Sequence, residues 1–167
     1  MAANILIALG SNRRHGRFGS PAGVVEAAVV ALAEAGFAVV RRSRIHATAA
    51  FGPGGRSYAN AVVEVASALA LPEVLVRLKA IERAFGRRGG RRWGARVLDL
   101  DILAQGDAVL PSRLGWRGAR AGLVVPHPGI ALRRFVLDPL VEVAPGWRHP
   151  VLGATSRQLR ARLLRRG

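Results

Sequence analysis

Apolar residues recur along this chain with two periods, one typical of strands and one typical of helices. Short alternating or continuous apolar runs predict strands, and apolar residues spaced three and four apart predict amphipathic helices. Pro21 and Pro72 each stand at the start of a helical segment, where proline fits the first turn. Over the first two thirds of the chain the pattern predicts strands at residues 5–9, 37–45, 58–66 and 97–104, and helices at residues 21–35 and 72–85.

The last third of the chain adds a hairpin and further helices to this succession. A turn at Gln105-Gly106-Asp107 predicts that residues 97–104 pair with residues 108–110. Residues 130–143 are predicted to be helical, with Pro139 interrupting or kinking the helix, and residues 155–166 form a last, basic helix. The order βαββαβ is typical of an antiparallel sheet with both helices on one face. The predicted fold class is therefore α+β, with a ferredoxin-like βαββαβ core followed by a C-terminal hairpin and helices.

Length and composition restrict the class of protein. The chain has 167 residues and no visible linker, so a single domain over residues 1–167 is expected. Apolar residues make up 50% of it, which excludes the disordered class, and the absence of cysteine excludes disulfides and thiolate metal sites. The first apolar run is too short for a signal peptide or a membrane span, so a cytoplasmic location is expected.

The formal net charge of +16 changes this picture only a little. Such a charge attracts polyanions, either nucleic acids or nucleotides. Almost every basic residue is arginine, however, and one lysine is present, which is typical of a genome-wide codon bias. The local placement of arginine is therefore more informative than the net charge.

An acidic pair in the strand at residues 97–104 is the first candidate for chemistry. Asp99 and Asp101 alternate with apolar residues, so both carboxylates lie on one face, about 6–7 Å apart along the strand. A positive group must separate them. Carboxylate oxygens suit Mg²⁺, and the nearby Arg92 and Arg96 suit phosphate, which together predict a metal–nucleotide site. A structural network of aspartate and arginine on an ordinary strand is the alternative.

Five motifs in order give the chain a resemblance to a known family. They are Ile7-Ala8-Leu9-Gly10-Ser11-Asn12, Gly52-Pro53 followed by Tyr58-x-Asn60, Glu82, residues 92–103, and Val125-Pro126-His127-Pro128. With these motifs the chain resembles the 6-hydroxymethyl-7,8-dihydropterin pyrophosphokinase family, folate-pathway enzymes that transfer pyrophosphate from ATP to a pterin alcohol. The resemblance covers nearly the whole chain except residues 13–19 and 111–122.

The resemblance implies a single pyrophosphokinase domain with the acidic pair at its catalytic centre. Asp99 and Asp101 would bind two Mg²⁺ ions that bridge the ATP phosphates, and the pterin hydroxymethyl oxygen would attack the β-phosphorus with AMP leaving. Arg87 and Arg96 would hold phosphate oxygens as charge moves to the leaving group. The loop that carries Arg87 is one residue short, so Arg88 is an alternative for its role.

The same resemblance implies a pterin pocket. Tyr58 and Phe135 match the two family aromatics that sandwich the ring, Asn60 offers a donor and an acceptor to its edge, and Thr48 and Gly10 line the pocket. Taken singly, Phe135 is typical of a core residue, and Tyr58-x-Asn60 is typical of a strand end.

A further set of residues is implied to contact ATP. This set consists of Glu82, Arg92, Trp93, Ile102, His127 and Arg133. His127 alone would also fit a histidine that caps a turn, and Trp93 would also fit an anchor for its loop. The glycine-rich segments 52–55 and 86–92 are expected to act as lids that order on ligand binding. The adenine pocket is the least determined part, with Arg120 one candidate, and His15, His46 and His149 receive no role.

Other classes of protein share parts of the pattern. The βαββαβ order and the charge suit an RNA-recognition module, but such modules stack bases on aromatics of the central strands, and here only Tyr58 is available. A relative that binds nucleotide without catalysis is a second alternative. The basic last helix would also suit a docking or membrane-surface element. The expected partners are ATP and the pterin, with no specific nucleic acid and no membrane, and the expected state is a monomer.

Overall fold

An antiparallel sheet forms the centre of the fold. The structure is a computed structural model that describes residues 1–48, 56–86, 97–119 and 122–166. The strands in these ranges are β1 (Ala3–Ser11), β2 (Ala38–Arg42), β3 (His46–Thr48), β4 (Tyr58–Ser67) and β5 (Asp99–Gln105). The helices are α1 (Pro21–Glu34), α2 (Leu71–Ala84), α3 (Arg113–Trp116), α4 (Arg134–Val143) and α5 (Ser156–Leu164), and Ile130–Leu132 forms a 3-10 turn.

The strand order confirms the predicted βαββαβ core. The main path through the sheet is β2-β4-β1-β5, and β3 pairs with β4 beside β2. All pairings are antiparallel, and β1 runs along β4 from Ala3 opposite Ser67 to Ser11 opposite Ala59. The two strands at the centre of this order, β1 and β4, are largely buried. The fold is α+β, as the periodicity predicts.

Helices α1 and α2 pack on one face of the sheet, as expected from the order of elements. Ser20 caps α1 by accepting a hydrogen bond from the N–H of Gly23, and Gly36, at φ +88°, ends the turn after it. The apolar stripes of both helices meet the inward residues of β1, β4 and β5 in one cluster, which includes Ile5, Ile7, Val24, Leu32, Val63, Leu78 and Leu100. Burying each of the larger side chains contributes about 1.5–3 kcal/mol.

The opposite face of the sheet carries the C-terminal helices. Helix α4 packs over β4, and α5 packs against α4, in a second cluster that includes Leu6, Val62, Leu103, Leu137, Leu140 and Leu159. The segment predicted as one helix over residues 130–143 is divided instead, because Arg133 is extended at φ −130° and separates the 3-10 turn from α4. Pro139 lies inside α4 without ending it.

The strand predicted over residues 37–45 is also divided, and Ser43 is the cause. Its hydroxyl accepts the N–H of Val62 at 3.0 Å and donates to the carbonyl of Arg44 at 2.7 Å. The side chain thus replaces a backbone group in the ladder with β4. Strand β2 ends at Arg42, and β3 begins at His46.

The predicted hairpin after β5 is wrong. A turn does form, with the N–H of Ala108 donating to Gln105 at 3.0 Å, but Leu110 then pairs with Val125 and not with β5. This pairing brings the following residues to β5, where the N–H of His127 donates to the carbonyl of Leu103 at 2.8 Å. Among the helices in the described ranges, none is long and apolar enough to cross a bilayer.

Candidate active site

A row of half-buried residues crosses four strands at one end of the sheet. Gly10 on β1 lies opposite Asn60 on β4 and opposite Asp99 on β5, and Asn60 lies opposite His46 on β3. Residues that are opposite one another in an antiparallel sheet share a face. A Cβ on Gly10 would lie 3.2 Å from Oδ1 of Asn60, so the glycine leaves room for this amide. Asn60 and Asp99 therefore flank an open backbone position on the same surface.

The acidic pair lies on β5 as the alternation predicts. Leu100 and Ile102 are buried in the cluster with α1 and α2, whereas Asp99 and Asp101 are half-buried on the opposite face. No group of three or more His, Cys, Asp or Glu side chains that could hold a metal occurs in the described part of the chain. Two carboxylates are enough to hold a Mg²⁺ ion whose remaining ligands are water molecules and phosphate oxygens.

Glu82 lies beside the backbone that separates the two aspartates. It is fully buried, and its Oε1 accepts the N–H of Leu100 at 2.8 Å and Nζ of Lys79 at 2.9 Å. Lys79 Nζ also lies 3.4 Å from the carbonyl oxygen of Leu100. Because β5 ends the path of strands, these two side chains bind backbone groups that an edge strand would otherwise expose. Helix α2 thus fixes β5 between Asp99 and Asp101.

His127 lies close to the acidic pair, and its environment keeps it neutral. Burial lowers its pKa below the ordinary value, the cation of Arg133 acts in the same direction, and the carboxylates of Asp101 and Asp99 oppose them. Nδ1 accepts the N–H of Gly129 at 3.0 Å, so the neutral ring carries its proton on Nε2. The turn-capping interpretation of His127 is thus correct for Nδ1, and Nε2–H is the atom that can donate to an anion.

Arg133 lies next to His127 around a pocket of about 420 Å³. A Cβ on Gly129 would lie 3.0 Å from Nε of Arg133 and 3.1 Å from Cε1 of His127, so this glycine lets the two side chains converge. The guanidinium carbon of Arg133 also lies 5.8 Å from the ring centre of Phe135. The wall is completed by residues that are mostly apolar, namely Ala119, Gly122, Val124, Pro128 and Leu132. The pocket therefore combines apolar walls with the cation of Arg133, which suits an apolar group that carries an anion.

Comparison with known proteins decides the family of this chain. The model for the 7,8-dihydro-6-hydroxymethylpterin-pyrophosphokinase (HPPK) family matches residues 6–145. The chain belongs to the HPPK family. The resemblance seen in the five motifs is thereby confirmed.

Curated relatives agree with this assignment. A Synechocystis protein named 2-amino-4-hydroxy-6-hydroxymethyldihydropteridine pyrophosphokinase is 42% identical over 125 residues, which cover 75% of this chain and 60% of that protein. A Haemophilus influenzae protein of the same name is 34% identical over 140 residues, covering 83% of this chain and 79% of the relative. The match to a similarly named Aquifex aeolicus protein covers 54% of that protein's length.

A solved structure supports the fold. The crystal structure of Plasmodium falciparum HPPK-DHPS with pteroate superposes with a TM-score of 0.72 at 14% identity, over 99% of this chain and 43% of that chain. At this identity the likeness concerns the fold alone. It agrees with the sheet order and with the helices on both faces.

The residues predicted to contact the pterin lie on neighbouring strands or on α4. Gly10 is on β1, Thr48 on β3, Tyr58 and Asn60 on β4, and Phe135 on α4. Thr48 lies opposite Tyr58 in the β3–β4 pair, two positions along from the pair of His46 with Asn60, and the pair of Ala47 with Ala59 lies between them. Tyr58 is 46% exposed and Phe135, in the first turn of α4, is 51% exposed. Neither ring belongs to the hydrophobic core, so the core interpretation of Phe135 does not hold.

Several residues with predicted roles lie outside the described ranges. These are Arg87, Arg92, Trp93 and Arg96, together with the alternative Arg88, the adenine candidate Arg120 and both glycine-rich lid segments apart from Gly86. Their roles in an HPPK reaction stay predictions. Ile102 is described, and it is buried in the core on the α1 and α2 face of β5.

Sequence reasoning missed three residues that shape the site. Lys79 forms an ion pair with the buried Glu82. Gly129 makes room for His127 and Arg133. Glu142 on α4 accepts a hydrogen bond from Nε2 of His46 at 2.8 Å. Glu142 was hidden because its partners lie almost a hundred positions away in the chain. The signal available for His46 was its position two residues before Thr48 in the same strand.

Proposed function

We propose that this chain is a Mg²⁺-dependent pyrophosphokinase that acts on ATP and 6-hydroxymethyl-7,8-dihydropterin, releases AMP and serves folate biosynthesis. The observation that carries the proposal is the row Asn60–Gly10–Asp99 in a chain of the HPPK family. Strands lie about 4.8 Å apart, so a pterin edge bound at Asn60 would lie about 10 Å from the acid that would hold the metal–nucleotide. One surface can therefore hold both substrates side by side.

The metal half of the site consists of Asp99 and Asp101. These carboxylates would hold Mg²⁺, two ions in our proposal, which when bound would neutralise the charge of the ATP phosphates. Glu82 and Lys79 keep the strand between the two acids in place through Leu100. Phosphoryl transfer depends on positioning and charge neutralisation more than on covalent help from the protein.

The part of the site that would bind the phosphates of the nucleotide, and so belongs with the metal half, consists of His127 and Arg133, with Arg87 and Arg96 as predicted additions. Neutral His127 would donate from Nε2 to a phosphate oxygen, and Arg133 would supply a fixed cation near it. The hydroxymethyl oxygen of the pterin would form a bond to the β-phosphorus while the bond from that phosphorus to the α,β-bridging oxygen breaks. AMP leaves with that oxygen, and the hydroxyl proton passes to solvent. A well-placed arginine in such chemistry contributes about 10³–10⁵ in rate.

The pterin half of the site consists of Asn60 and the two exposed rings, Tyr58 and Phe135. An amide offers both a donor and an acceptor, which matches the amide-like edge of a pterin. Aromatic rings that are about half exposed at the site end of β4 and α4 have apolar surface available for stacking. The single pyrophosphokinase domain, the monomeric state and the cytoplasmic location belong to the same proposal.

The deciding experiment is incubation of the purified chain with MgATP and 6-hydroxymethyl-7,8-dihydropterin. We expect equal amounts of AMP and a pterin diphosphate, separated by ion-exchange chromatography and identified by ³¹P NMR. Formation of ADP, or binding of MgATP without any product, would contradict the proposal and favour a different kinase or a catalytically silent relative. Omission of magnesium is the control for dependence on the metal.

A further inference from the structure

The segment between β1 and α1 forms a closed hairpin, residues 15–19, which lies outside the five motifs that carry the family resemblance. The N–H of His15 donates to the carbonyl of Gly19, and the N–H of Gly19 donates to the carbonyl of His15, both at 2.8 Å. Inside this ring, Nδ1 of His15 accepts the N–H of Arg17 at 3.0 Å. The conformation of the hairpin is therefore fixed by its own hydrogen bonds.

An aromatic stack joins this hairpin to the end of α2. The ring of Phe18 lies 4.8 Å from the ring of His15 and 5.0 Å from the ring of Phe85, with interplanar angles of 24° and 26°. Phe85 is buried and is the residue that ends α2. The guanidinium carbon of Arg17 lies 5.3 Å from the centre of the Phe18 ring. Stacked rings of this kind stabilise a contact beyond the area that they bury.

Gly23 shows how closely the hairpin is seated on α1. A Cβ at this position would lie 2.1 Å from the carbonyl oxygen of Phe18, which no side chain permits. The backbone of Phe18 is thus pressed against the first turn of α1 while its ring contacts α2. Two helices therefore determine where the Phe18 ring lies, and that ring in turn supports Phe85.

The last turn of α2 contacts the acidic strand β5 through the side chain of Glu82. Glu82 and Phe85 are three residues apart and so lie close together on one side of the helix. Glu82 accepts the N–H of Leu100, the residue between Asp99 and Asp101. A shift of this turn would move Glu82, and through Leu100 it would move both carboxylates.

We propose that the stack of His15, Phe18 and Phe85 positions the metal–nucleotide half of the site by fixing the last turn of α2. The inference rests on the proposed function. The three rings are positioning residues that act through Glu82 and Leu100. The pterin half, on β3, β4 and α4, is not held by this stack, so its affinity is expected to stay unchanged.

The test variant is Phe18→Ala, which removes the central ring of the stack. Phe18→Tyr keeps the ring. Leu163→Ala, which removes a partly buried contact on α5, is the control for a loss of packing far from the stack. Arg14→Ala, at the exposed residue directly before the hairpin, removes a charge and leaves the three stacked rings in place. We expect Phe18→Ala to lower kcat/KM for MgATP about tenfold to hundredfold, because a small displacement of binding groups has a large effect on rate. The KM for pterin should stay within twofold of the wild-type value. Phe18→Tyr should restore the wild-type values. If Phe18→Ala does not fold, Phe18→Leu takes its place.

A binding measurement separates this inference from the proposed function. Calorimetric titration with α,β-methylene-ATP and MgCl₂ should show weaker binding for Phe18→Ala than for Leu163→Ala, even when the two variants have equal melting temperatures. Equal binding and equal kinetics in these two variants would overturn the positioning role, and so would an equal loss in Arg14→Ala. A wild-type chain that binds the analogue but forms no pterin diphosphate would contradict the proposed function alone.

Discussion

Single side chains on β5 carry the most direct prediction. Asp99 and Asp101 face away from the cluster under α1 and α2, so Asp101→Ala removes a candidate metal ligand without opening a cavity among Leu100 and Ile102. We expect turnover to fall about 10³-fold or more, because a metal that neutralises phosphate charge contributes several kcal/mol. The melting temperature should change little. Asp107→Ala, at an exposed turn after the same strand, is the control, and a mild effect in Asp101→Ala would place the metal elsewhere.

Gly10 carries a second prediction at the residue scale. In Gly10→Ala the new Cβ would approach Oδ1 of Asn60 to 3.2 Å, so the amide must move to relieve the contact. We expect the KM for pterin to rise about tenfold, since a small misplacement of a binding group has a large effect. Steady-state kinetics with each substrate varied in turn checks this. The control is Gly16→Ala, where a Cβ would meet nothing within 4 Å, and it should behave as wild type. An unchanged KM for pterin in Gly10→Ala would show that Asn60 does not bind the pterin.

The acidic pair could be predicted from the sequence, but the hydrogen bond that holds the strand between the two acids could not. A period of two assigns Asp99 and Asp101 to one face because that period is a local property of a strand. The bond from Leu100 to Glu82 joins a backbone N–H to a side chain eighteen positions earlier, and no local pattern encodes it. His127 could be found from its motif, whereas its neutral state depends on burial and on Arg133.

At the scale of elements, Glu142 joins α4 to β3. Its carboxylate accepts the N–H of Arg44 at 2.9 Å and Nε2 of His46 at 2.8 Å. Burial alone would raise the pKa of Glu142, but the hydrogen bonds from Arg44 and His46 hold it below the ordinary value. Phe135 lies seven residues earlier on α4, two turns along the same side, and His46 lies opposite Asn60. The contact therefore sets the distance between two candidate walls of the pterin pocket.

Glu142→Ala should lower the free energy of unfolding by about 1–2 kcal/mol, because it removes several hydrogen bonds to a charged acceptor. It should also raise the KM for pterin more than the KM for MgATP. Urea denaturation and steady-state kinetics measure the two effects. Glu26→Ala, which breaks an exposed ion pair with Arg42, should change neither by a measurable amount. Equal behaviour of the two variants would show that Glu142 is an ordinary surface acid.

The elements themselves were predictable where their pattern is long and regular. Helices α1 and α2 begin and end within one residue of the predicted bounds, since proline at the start and apolar spacing along the helix agree. The break at Ser43 and the pairing of Leu110 with Val125 were not predictable. Both depend on a partner strand or segment that is distant in sequence, and neither changes the local hydrophobic pattern.

At the scale of the whole molecule, the proposed substrate site is built from segments that are distant from one another in the chain. Gly10 and Asn60 come from the central strands, Asp99 from β5, and His127 and Phe135 from the C-terminal third. The topology of the sheet was predictable because βαββαβ order has few compatible arrangements. The position of the C-terminal third was not, because it follows from the contact of His127 with Leu103 and from the packing of α4 on β4.

That C-terminal third also makes the stability of the whole molecule depend on pH. His149 is buried between the rings of Trp116 and Trp147, whose centres lie 5.2 and 5.5 Å from its own. Its Nδ1 accepts the N–H groups of Val151 and Leu152, both at 3.2 Å. Burial lowers the pKa of His149 to about 4, against an ordinary value of 6.5. The folded chain therefore holds the ring neutral over a range of pH in which the unfolded chain protonates it.

The stabilisation from this neutral ring is complete above about pH 6.5 and is lost as the pH falls towards about 4, because the unfolded state binds the proton first. We expect the free energy of unfolding to decrease by up to about 3 kcal/mol across that range. Urea denaturation of the wild type and of His149→Asn at several pH values measures the difference. The variant is expected to be less stable at neutral pH and to lose less on acidification, since it lacks the titrating ring. Parallel pH profiles for the two proteins would mean that other groups, such as the carboxyl of Glu142, control the acid sensitivity of the fold.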